Sequence, residues 1–581
     1  MQVIATAGHV DHGKSTLIRA LTGMEPDRWA EERRRGMTID LGFAWTTLRS
    51  GERIAFVDVP GHERFVTNML AGVGPCPAVM IVVAADEGWQ AQSAEHLAAL
   101  DALGVRHGLA VVTRADLAEP ELALTQVHGH LDKTCLAGIE SVVVSGRTGQ
   151  GLPELEAALA RLAATLPEPD TEGAVRLWID RVFTVAGAGT VVTGTLSRGT
   201  LRVGDELDMS GRRVRIRGLQ TLGEKKEKVS ATARVAVNLR GVDRDGLSRG
   251  MALVTPEFWM PTRVIDVRLN AGVHHRGEAV LHVGSAAVPV RLRFLGGDTA
   301  RLTLSRTLPL RTGDRGLLRD PGRREIIAGL RVLDVRPPAL RRRGAAAARA
   351  AALGEVGLPD AAALLRWHGL LRGSELTAMG CPPGGSPVVG DWYADPGHWS
   401  SLRSRLADHV SRRPALDPGI TVDAATQLLA LSDRRLTEAL VAPPLAVEGG
   451  RILPAGGSLP PAIAKAVTEL TADLAEQPFN APTAERLNEL GLTGKALAAA
   501  LRSGAVTSIA KNVILLPGAL DRAADVLARL PSPFTVSDAR VALATSRRVV
   551  LPLLERLDAG GITRRIDNDL RICRPQDGSH L

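Results

Sequence analysis

The sequence predicts a multidomain fold: an α/β P-loop domain, two antiparallel β barrels, and a C-terminal array of helix-rich winged-helix modules. Three observations carry this expectation. A Gly-rich loop follows the first apolar strand. β-branched alternation with Gly punctuation takes over near residue 175. Ala-, Arg- and Leu-rich helical stretches with small β elements fill the chain beyond residue 337. A length of 581 residues is too great for one core and suggests roughly four domains.

In residues 1–165 the runs VIATA, IAFVDV, AVMIVVAAD, GLAVVT and SVVVS read as buried parallel strands. Amphipathic stretches such as SAEHLAALDALG lie between them, so helices should cover both faces of the sheet. LPEPDTEGA (166–174) reads as a linker, which bounds a first domain at 1–171. LWIDRVFTV, GTVVTGTLSRG, RVRIRGLQ and RVAVNLRG then alternate as barrel strands do. A break near TPEFWMPTR (255–263) divides them into barrels at 172–257 and 258–337. PPALRRRGAAAARAAALGE (337–355) opens the tail, where short helical units end in β elements such as LAVEGGRILP, VTSIAKNVILLP and ITRRIDNDLRI. Four modules are expected, at 338–400, 401–458, 459–520 and 521–581.

The composition, 45% apolar and 23% charged, is that of ordinary globular proteins. The net charge of +8 suits a polyanionic partner such as RNA, and equally suits an Arg-rich proteome. Cys76, Cys135, Cys381 and Cys573 are isolated, without zinc spacing, which fits a reduced, cytoplasmic setting. The start MQVIATAGHV does not read as a signal peptide, and no apolar run reaches membrane-spanning length, so no membrane partner is expected. Aromatics at 3% argue against a surface built on base stacking. Nothing points to oligomerisation, so a monomer is expected.

Gly8-His9-Val10-Asp11-His12-Gly13-Lys14-Ser15 matches GxxxxGK[ST] between the strand VIATA and the helix TLIRALTG, with Thr16 next in line. In such a loop the backbone N–H groups cradle phosphates, the Lys neutralises the β and γ charges, and the Ser hydroxyl faces Mg²⁺. Asp58-Val59-Pro60-Gly61 ends the strand IAFVDV. Asp58 can hold Mg²⁺ through a water, and Gly61 can offer its N–H to the γ-phosphate. His62 follows, where a polar side chain can orient an attacking water. Thr113-Arg114-Ala115-Asp116 suits guanine, because a carboxylate at Asp116 can accept from N1 and N2, a donor pair adenine lacks. The usual pattern is [NT]KxD; Arg114 replaces the Lys, and its stem can cover the same surface. Ser145-Gly146 fits the last guanine loop, where Ala is commoner than Gly at the second position. GTP and GDP are therefore the expected nucleotides.

GHVDHGKST, RGMTIDLGF (35–43), DVPGHERFVTNML (58–70) and VVAADEGWQAQSAEHL (82–97) resemble translational GTPases of the elongation factor Tu class. That resemblance implies that Thr38 is the switch I threonine on Mg²⁺, and that His62 is the catalytic histidine, moved into place by the ribosome. A finer resemblance is to the selenocysteine-specific elongation factors, the SelB family. It rests on RGMTIDLGF, IDRVFTVAGAGTVVTGT (179–195), GDRGLLRDPGRREIIAGLRVLDVRPP (313–338) and FTVSDARVALATSRRVVLPLLERLDAGGITRRIDNDLRI (534–572). GVGPCPAVMIVV departs from that family's usual GIDLALLVV-like run, and residues 345–520 match weakly.

The family resemblance implies a GTP-dependent factor that carries selenocysteinyl-tRNA to the ribosome at recoded UGA codons. It also implies binding to an mRNA hairpin, the selenocysteine insertion element. A selenol ionises well below pH 7, so a cationic pocket can separate selenocysteine from serine by charge. The matching positions are Asp180, Arg181 and Arg234, with both arginines toward the selenolate and Asp180 orienting an Arg or holding the α-amino group. For RNA, Arg540, Ser546-Arg547-Arg548 at a helix start and Arg564-Arg565 in a wing form the candidate clamp. Two alternatives stand beside this reading. One is a translational GTPase that delivers another tRNA, of elongation or initiation type. The other is a winged-helix DNA-binding regulator with a fused GTPase.

Overall fold

The computed structural model describes residues 1–26, 38, 40–62, 65–187, 189–270, 277–323, 325–413, 419–454, 459–567 and 569–573. Residues 35–37 and 39 of RGMTIDLGF, and the last eight residues of the expected final module, lie outside the described residues. Two compact units are present, residues 1–395 and 396–581.

The first unit begins with a six-stranded sheet of β1 (Gln2–Ala7), β2 (Gly42–Thr47), β3 (Arg53–Asp58), β4 (Ala78–Ala84), β5 (Gly108–Thr113) and β6 (Glu140–Val143). Their order across the sheet is β2-β3-β1-β4-β5-β6. All neighbours pair in parallel except β2, which runs antiparallel to β3 with Phe43 opposite Val57. Side chains alternate between the faces, as strand geometry requires. Val3, Ala5, Ile81 and Val83 enter one core with the helices Val66–Val73 and Ala91–Leu103. Ile4, Met80 and Val82 enter the opposite core with the helices Lys14–Thr22 and Leu152–Thr165. The five strands expected from apolar runs are present. The edge strand β2 was missing from that reading, because GFAWTT holds only a brief apolar run, FAW, and pairs on one side only.

Residues 176–254 form an open antiparallel barrel. Its path runs from Arg176–Trp178 through Ala252–Val254, Glu206–Met209, Arg212–Thr221, Ala233–Arg240 and Gly189–Leu196 to Arg181–Val185. Within Ala233–Arg240 the odd-numbered Ala233, Val235, Val237 and Leu239 fill the barrel, and Arg234 projects from the other face. A second barrel closes completely, in the order Met260–Leu269, Thr299–Leu310, Ala286–Gly296, Gly277–Val283, Arg315–Arg319 and Ile326–Asp334. It meets the helix Ala91–Leu103 at very short range. A Cβ on Gly329 would lie 2.2 Å from the Ala102 carbonyl oxygen, so only Gly permits this approach.

Residues 345–395 belong to this first unit rather than to the tail. Leu364, Leu371, Leu376 and Met379 share one core with the closed barrel. A buried charge network reinforces the join. Arg301 donates to both carboxylate oxygens of Asp266 at 2.7 and 3.0 Å. Arg349 bridges Asp266 Oδ2 (2.7 Å) and Asp334 Oδ2 (2.5 Å), and His368 lies 3.0 Å from Asp334.

The second unit repeats short helices and small β elements. A three-stranded sheet joins Ile420–Thr421, Arg451–Pro454 and Leu445–Glu448, and a hairpin pairs Thr507–Ala510 with Val513–Leu515. A last sheet orders Phe534–Thr535, Leu570–Cys573 and Thr563–Arg565. One hydrophobic core runs from Ile463 to Leu557, so the last two modules are fused through their interiors. No helix among the described residues is long and apolar enough to cross a membrane.

Asp266 and Asp334 are fully buried, so removing Arg349 leaves two buried carboxylates with only Arg301 and His368 to compensate them. Arg349→Met is expected to cost about 3–5 kcal/mol of unfolding free energy for the closed barrel and its attached module. Urea denaturation followed by tryptophan fluorescence measures it, since Trp367 lies against Arg349.

Candidate functional site

A cleft of about 700 Å³ opens at the C-terminal edge of the parallel strands. Val10, Asp11, Gly13, Lys14, Ser15, Thr16, Thr38, Gly61, Thr113, Arg114, Asp116 and Gly146 line it. Gly8, His12, Asp58 and Ser145 lie buried beneath this lining, whereas His9 and His62 are not part of it. Its geometry depends on the loop after β1. Gly8 has φ +135°, and a Cβ there would sit 2.2 Å from the Val82 carbonyl oxygen. Asp11 and Gly13 are also left-handed, at φ 64° and 79°, which curls the backbone into a concave nest. Lys14 Nζ donates to Gly8 O at 3.0 Å, so the loop wraps its own ammonium.

Three oxygen donors converge below that loop. Ser15 Oγ donates to Asp58 Oδ2 at 2.7 Å and lies 3.0 Å from Thr38 Oγ1. Asp58 is fully buried, and its other oxygen accepts from Thr6 Oγ1 at 2.7 Å. Hard oxygen donors of this kind suit Mg²⁺. A Cβ on Gly61 would come within 2.5 Å of Lys14 Nζ and Val10 N, so a side chain there would fill the space beside the ammonium. His62 is half-buried, and its ring lies 5.9 Å from that of Phe65.

At the other end of the cleft, Asp116 accepts from Ser145 Oγ at 2.6 Å. That hydrogen bond holds its carboxyl below the usual carboxylate range. Arg114 is left-handed at φ 58° and donates to Asp86 (3.0 Å), Glu87 (2.7 Å) and the Asp11 carbonyl. Burial opposes its charge, but these acceptors outweigh burial and raise its pKa. Arg114 thus ties the guanine-type loop to the phosphate loop through the Asp11 carbonyl, and to the loop after β4 through Asp86 and Glu87. A methyl at Gly146 would meet Thr16 at 3.5 Å, ordinary contact, so the Gly is a tolerated variant.

Motif reading missed several supports. Thr113 Oγ1 donates to the His12 carbonyl at 2.8 Å. Gly8 N–H donates to His96 Nδ1 at 3.0 Å, and Val10 N–H donates to Gln92 Oε1 at 3.3 Å. His96 and Gln92 stand on the helix Ala91–Leu103, one turn apart, and only the folded chain brings them under the loop.

A second cavity, of about 170 Å³, lies between β2 and the open barrel. Arg234 and Arg181 both line it. Arg234 is held in a two-pronged pair by Asp180, with Nη2 2.6 Å from Oδ1, and its guanidinium carbon lies 3.8 Å from the Phe43 ring centre. Asp180 also accepts from Thr193 at 2.8 Å. Arg181 turns toward Asp40, donating to Oδ2 at 3.0 Å, and to the Leu41 carbonyl at 2.7 Å. Asp180 therefore orients an arginine, one of its two expected roles, and Phe43 and Asp40 are contributors that motif reading did not single out. Cys76, from the departing GVGPCP run, is buried; burial pushes its thiol up to about 12, so it is an inert packing group.

In the second unit, Ser546 occupies the N-cap position of the helix Arg547–Ala559 without a side-chain capping bond, and Arg540, Arg547, Arg564 and Arg565 are exposed. Arg548 differs. It donates to the carbonyls of Asn512 (2.9 Å), Ala481 (2.6 Å) and Pro482 (3.1 Å), which ties the last module to the one before it. All four cysteines are free thiols, and no cluster of three or more His, Cys, Asp or Glu among the described residues could hold a metal.

Comparison with known proteins gives consistent matches along the chain. Residues 1–165 match the elongation factor Tu GTP binding domain, and 189–254 match elongation factor Tu domain 2. Residues 262–339 match the β-barrel domain of selenocysteine-specific elongation factor, and 525–572 a winged helix of elongation factor SelB. A selenocysteine-specific elongation factor of Desulfomicrobium baculatum is 41% identical over 351 residues, covering 57% of this chain and 55% of that one. The chain thus spans about half the length of such curated relatives. Elongation factor Tu 2 of Streptomyces avermitilis is 32% identical over 373 residues, 55% of this chain and 93% of that one. A crystal structure of a bacterial selenocysteine-specific elongation factor superposes with a TM-score of 0.76 at 26% identity, covering 99% of this chain and all of that one.

Burial depresses His12 to about 4 and His96 to about 3, from ordinary values of about 6.5. Below about pH 6.5 the unfolded chain takes up protons that the folded one refuses. Stability is therefore complete above that pH and falls as the pH drops toward 4, by about 1.4 kcal/mol per pH unit for each histidine. Denaturant titrations between pH 7 and 4.5 should show this slope, and His96→Gln should flatten it by about one proton's share.

Proposed function

The chain belongs to the elongation factor Tu class of translational GTPases and to its selenocysteine-specific branch, and on that premise we propose that it binds selenocysteinyl-tRNA with GTP. In this reading it also binds a hairpin in the mRNA and delivers the tRNA to the ribosome at recoded UGA codons, hydrolysing GTP. It works as a monomer in the cytoplasm. The observation that carries the proposal is the arginine-lined pocket beside β2, where Arg234, pinned by Asp180, stacks on Phe43.

The nucleotide lies along the cleft with its phosphates in the nest of residues 8–16. Lys14 swings from the loop carbonyls to the β and γ oxygens. Asp116, oriented by Ser145, accepts from N1 and N2 of guanine, while Arg114 keeps that loop against the phosphate loop. Ser15 and Thr38 would hold Mg²⁺, with Asp58 acting through a water, and the ion would neutralise charge on the β- and γ-phosphates. Gly61 N–H faces the γ-phosphate. His62, outside the cleft lining, must turn inward to orient the attacking water, and contact with the ribosome supplies that movement. Once the γ-phosphate contacts are gone, the segment around Thr38 relaxes and the tRNA is released.

The aminoacyl group enters the pocket next to Phe43. A selenolate gains a charge-assisted hydrogen bond from Arg234, which a neutral serine hydroxyl cannot match. Such a bond is worth about 1.5–3 kcal/mol, a discrimination of roughly ten- to hundredfold. In the tail, Arg540, Arg547, Arg564 and Arg565 meet hairpin phosphates and bases. Arg548 acts by fixing the module that presents them. Tethering to the message raises the local concentration of the tRNA complex at the codon.

Binding of selenocysteinyl-, cysteinyl- and seryl-tRNA built on one tRNA body tests the assignment, and equal affinities for all three would sink it. Arg234→Ala should reduce the preference for selenocysteine roughly ten- to hundredfold with GTP affinity retained. In ribosome-stimulated turnover, His62→Ala should lose hydrolysis and keep nucleotide binding. For the tail, Arg547→Ala and Arg564→Ala should each lower the slope of log affinity against log salt by about 0.7–0.9, while Arg548→Ala should instead loosen the last module.

A further inference from the structure

Arg249 belongs to no motif, yet it is bonded to three functional segments at once. It lies in the loop before the strand Ala252–Val254 of the open barrel and is half-buried. Its Nε donates to the carbonyl oxygen of Asp180 at 2.7 Å. Its Nη2 donates to Asp40 Oδ1 at 2.6 Å. Its Nη1 donates to Asn68 Oδ1. Every nitrogen of one rigid guanidinium is thus committed, each to a different part of the molecule.

The three acceptors have distinct connections. Asp40 follows Thr38 by two residues, and Thr38 lies 3.0 Å from Ser15 in the metal-type oxygen cluster. Asn68 stands on the helix Val66–Val73, which follows Gly61 and His62. Asp180 pins Arg234 in the aminoacyl pocket and precedes Arg181, whose own guanidinium holds the second oxygen of Asp40. Burial opposes ionisation of Asp40, but Arg181 and Arg249 outweigh it and keep its carboxyl below the ordinary range. The segments that sense the γ-phosphate therefore meet the pocket at one side chain.

We propose that Arg249 is the positioning residue that couples the nucleotide state to the aminoacyl pocket, by holding Asp40, Asn68 and the Asp180 carbonyl in one arrangement. The proposal rests on the reading of this chain as a GTP-dependent carrier of selenocysteinyl-tRNA. A shift of Thr38 moves Asp40, a shift of Gly61 moves Asn68, and either displaces the guanidinium that fixes the segment carrying Asp180 and Arg181. Lysine cannot replace it, because a point charge lacks the planar three-way fork. Coupling of this kind is reciprocal: whatever factor GTP adds to tRNA affinity, tRNA adds to GTP affinity.

The test measures selenocysteinyl-tRNA dissociation constants with GDP and with a non-hydrolysable GTP analogue, for the full chain and for Arg249→Ala, Arg249→Lys and Asn68→Ala. The ratio of the two constants should fall at least tenfold in both Arg249 variants and by a smaller factor in Asn68→Ala. The advantage that tRNA confers on the analogue over GDP should fall by the same factor. Equal weakening in both nucleotide states would leave the ratio unchanged, mark Arg249 as structural only and overturn the proposal. Should Arg249→Ala fail to fold, Arg249→Lys and Asn68→Ala carry the same comparison. A wild-type chain without any nucleotide-dependent tRNA binding would instead refute the carrier reading, and that failure is visible before any variant is made.

Discussion

The carboxylate of Asp58 is buried completely at the end of β3, and the nucleotide cleft is arranged around it. A buried charge is costly unless it is paired and hydrogen-bonded. Here Thr6 satisfies one oxygen and Ser15 the other, and Thr6 also accepts from the Val59 N–H. These bonds lock β1, the start of the first helix and the strand end that leads to Gly61. Thr38 completes the cluster through Ser15. The loop from Gly8 to Ser15 then has one available path, with Gly8 pressed against Val82 and held from below by His96.

From that centre outward, arginines reinforce junctions that are also packed by shared apolar cores. Arg181 and Arg249 bring the open barrel to Asp40, Arg319 brings the closed barrel to Glu95, and Arg315 reaches the end of the helix Ala91–Leu103. Arg349 does the same between the closed barrel and the first helical module. Guanidinium pairs at domain junctions are directional, and their worth changes when a segment shifts by an ångström or two. Apolar cores fill each domain and also cross the junctions, as where Trp178, Ala252 and Val254 share a core with the closed barrel. The contacts at Asp40, beside the nucleotide cleft, are polar and lie between domains.

Locality explains which features were legible in the primary structure. Strand runs, the phosphate loop, Asp58, Asp116 and the small β elements of the tail were readable because period and local motif determine them. The edge strand β2 was not, since GFAWTT carries a weak period and is a strand only through pairing with β3. The tail was expected as four similar modules, yet its first module is part of the N-terminal unit, because Leu364 and Met379 find their apolar partners on the closed barrel. Arg548 reads as one of a basic pair with Arg547, but backbone carbonyls of the preceding module take it. Charge in a sequence does not reveal which exposed guanidinium is also bonded to a carbonyl.

The sequence by itself determined the α/β, barrel and winged-helix order, the phosphate- and guanine-type motifs and the family resemblance, because each depends on neighbours a few residues apart. The tertiary structure alone decided how these parts connect. It paired Asp180 with Arg234 across 54 positions, Arg114 with Asp86 across 28, and Arg249 with Asp40 across 209. Such partners carry no shared period or spacing. They meet because the folded backbone brings them together, and burial then makes each unpaired charge too costly to leave alone.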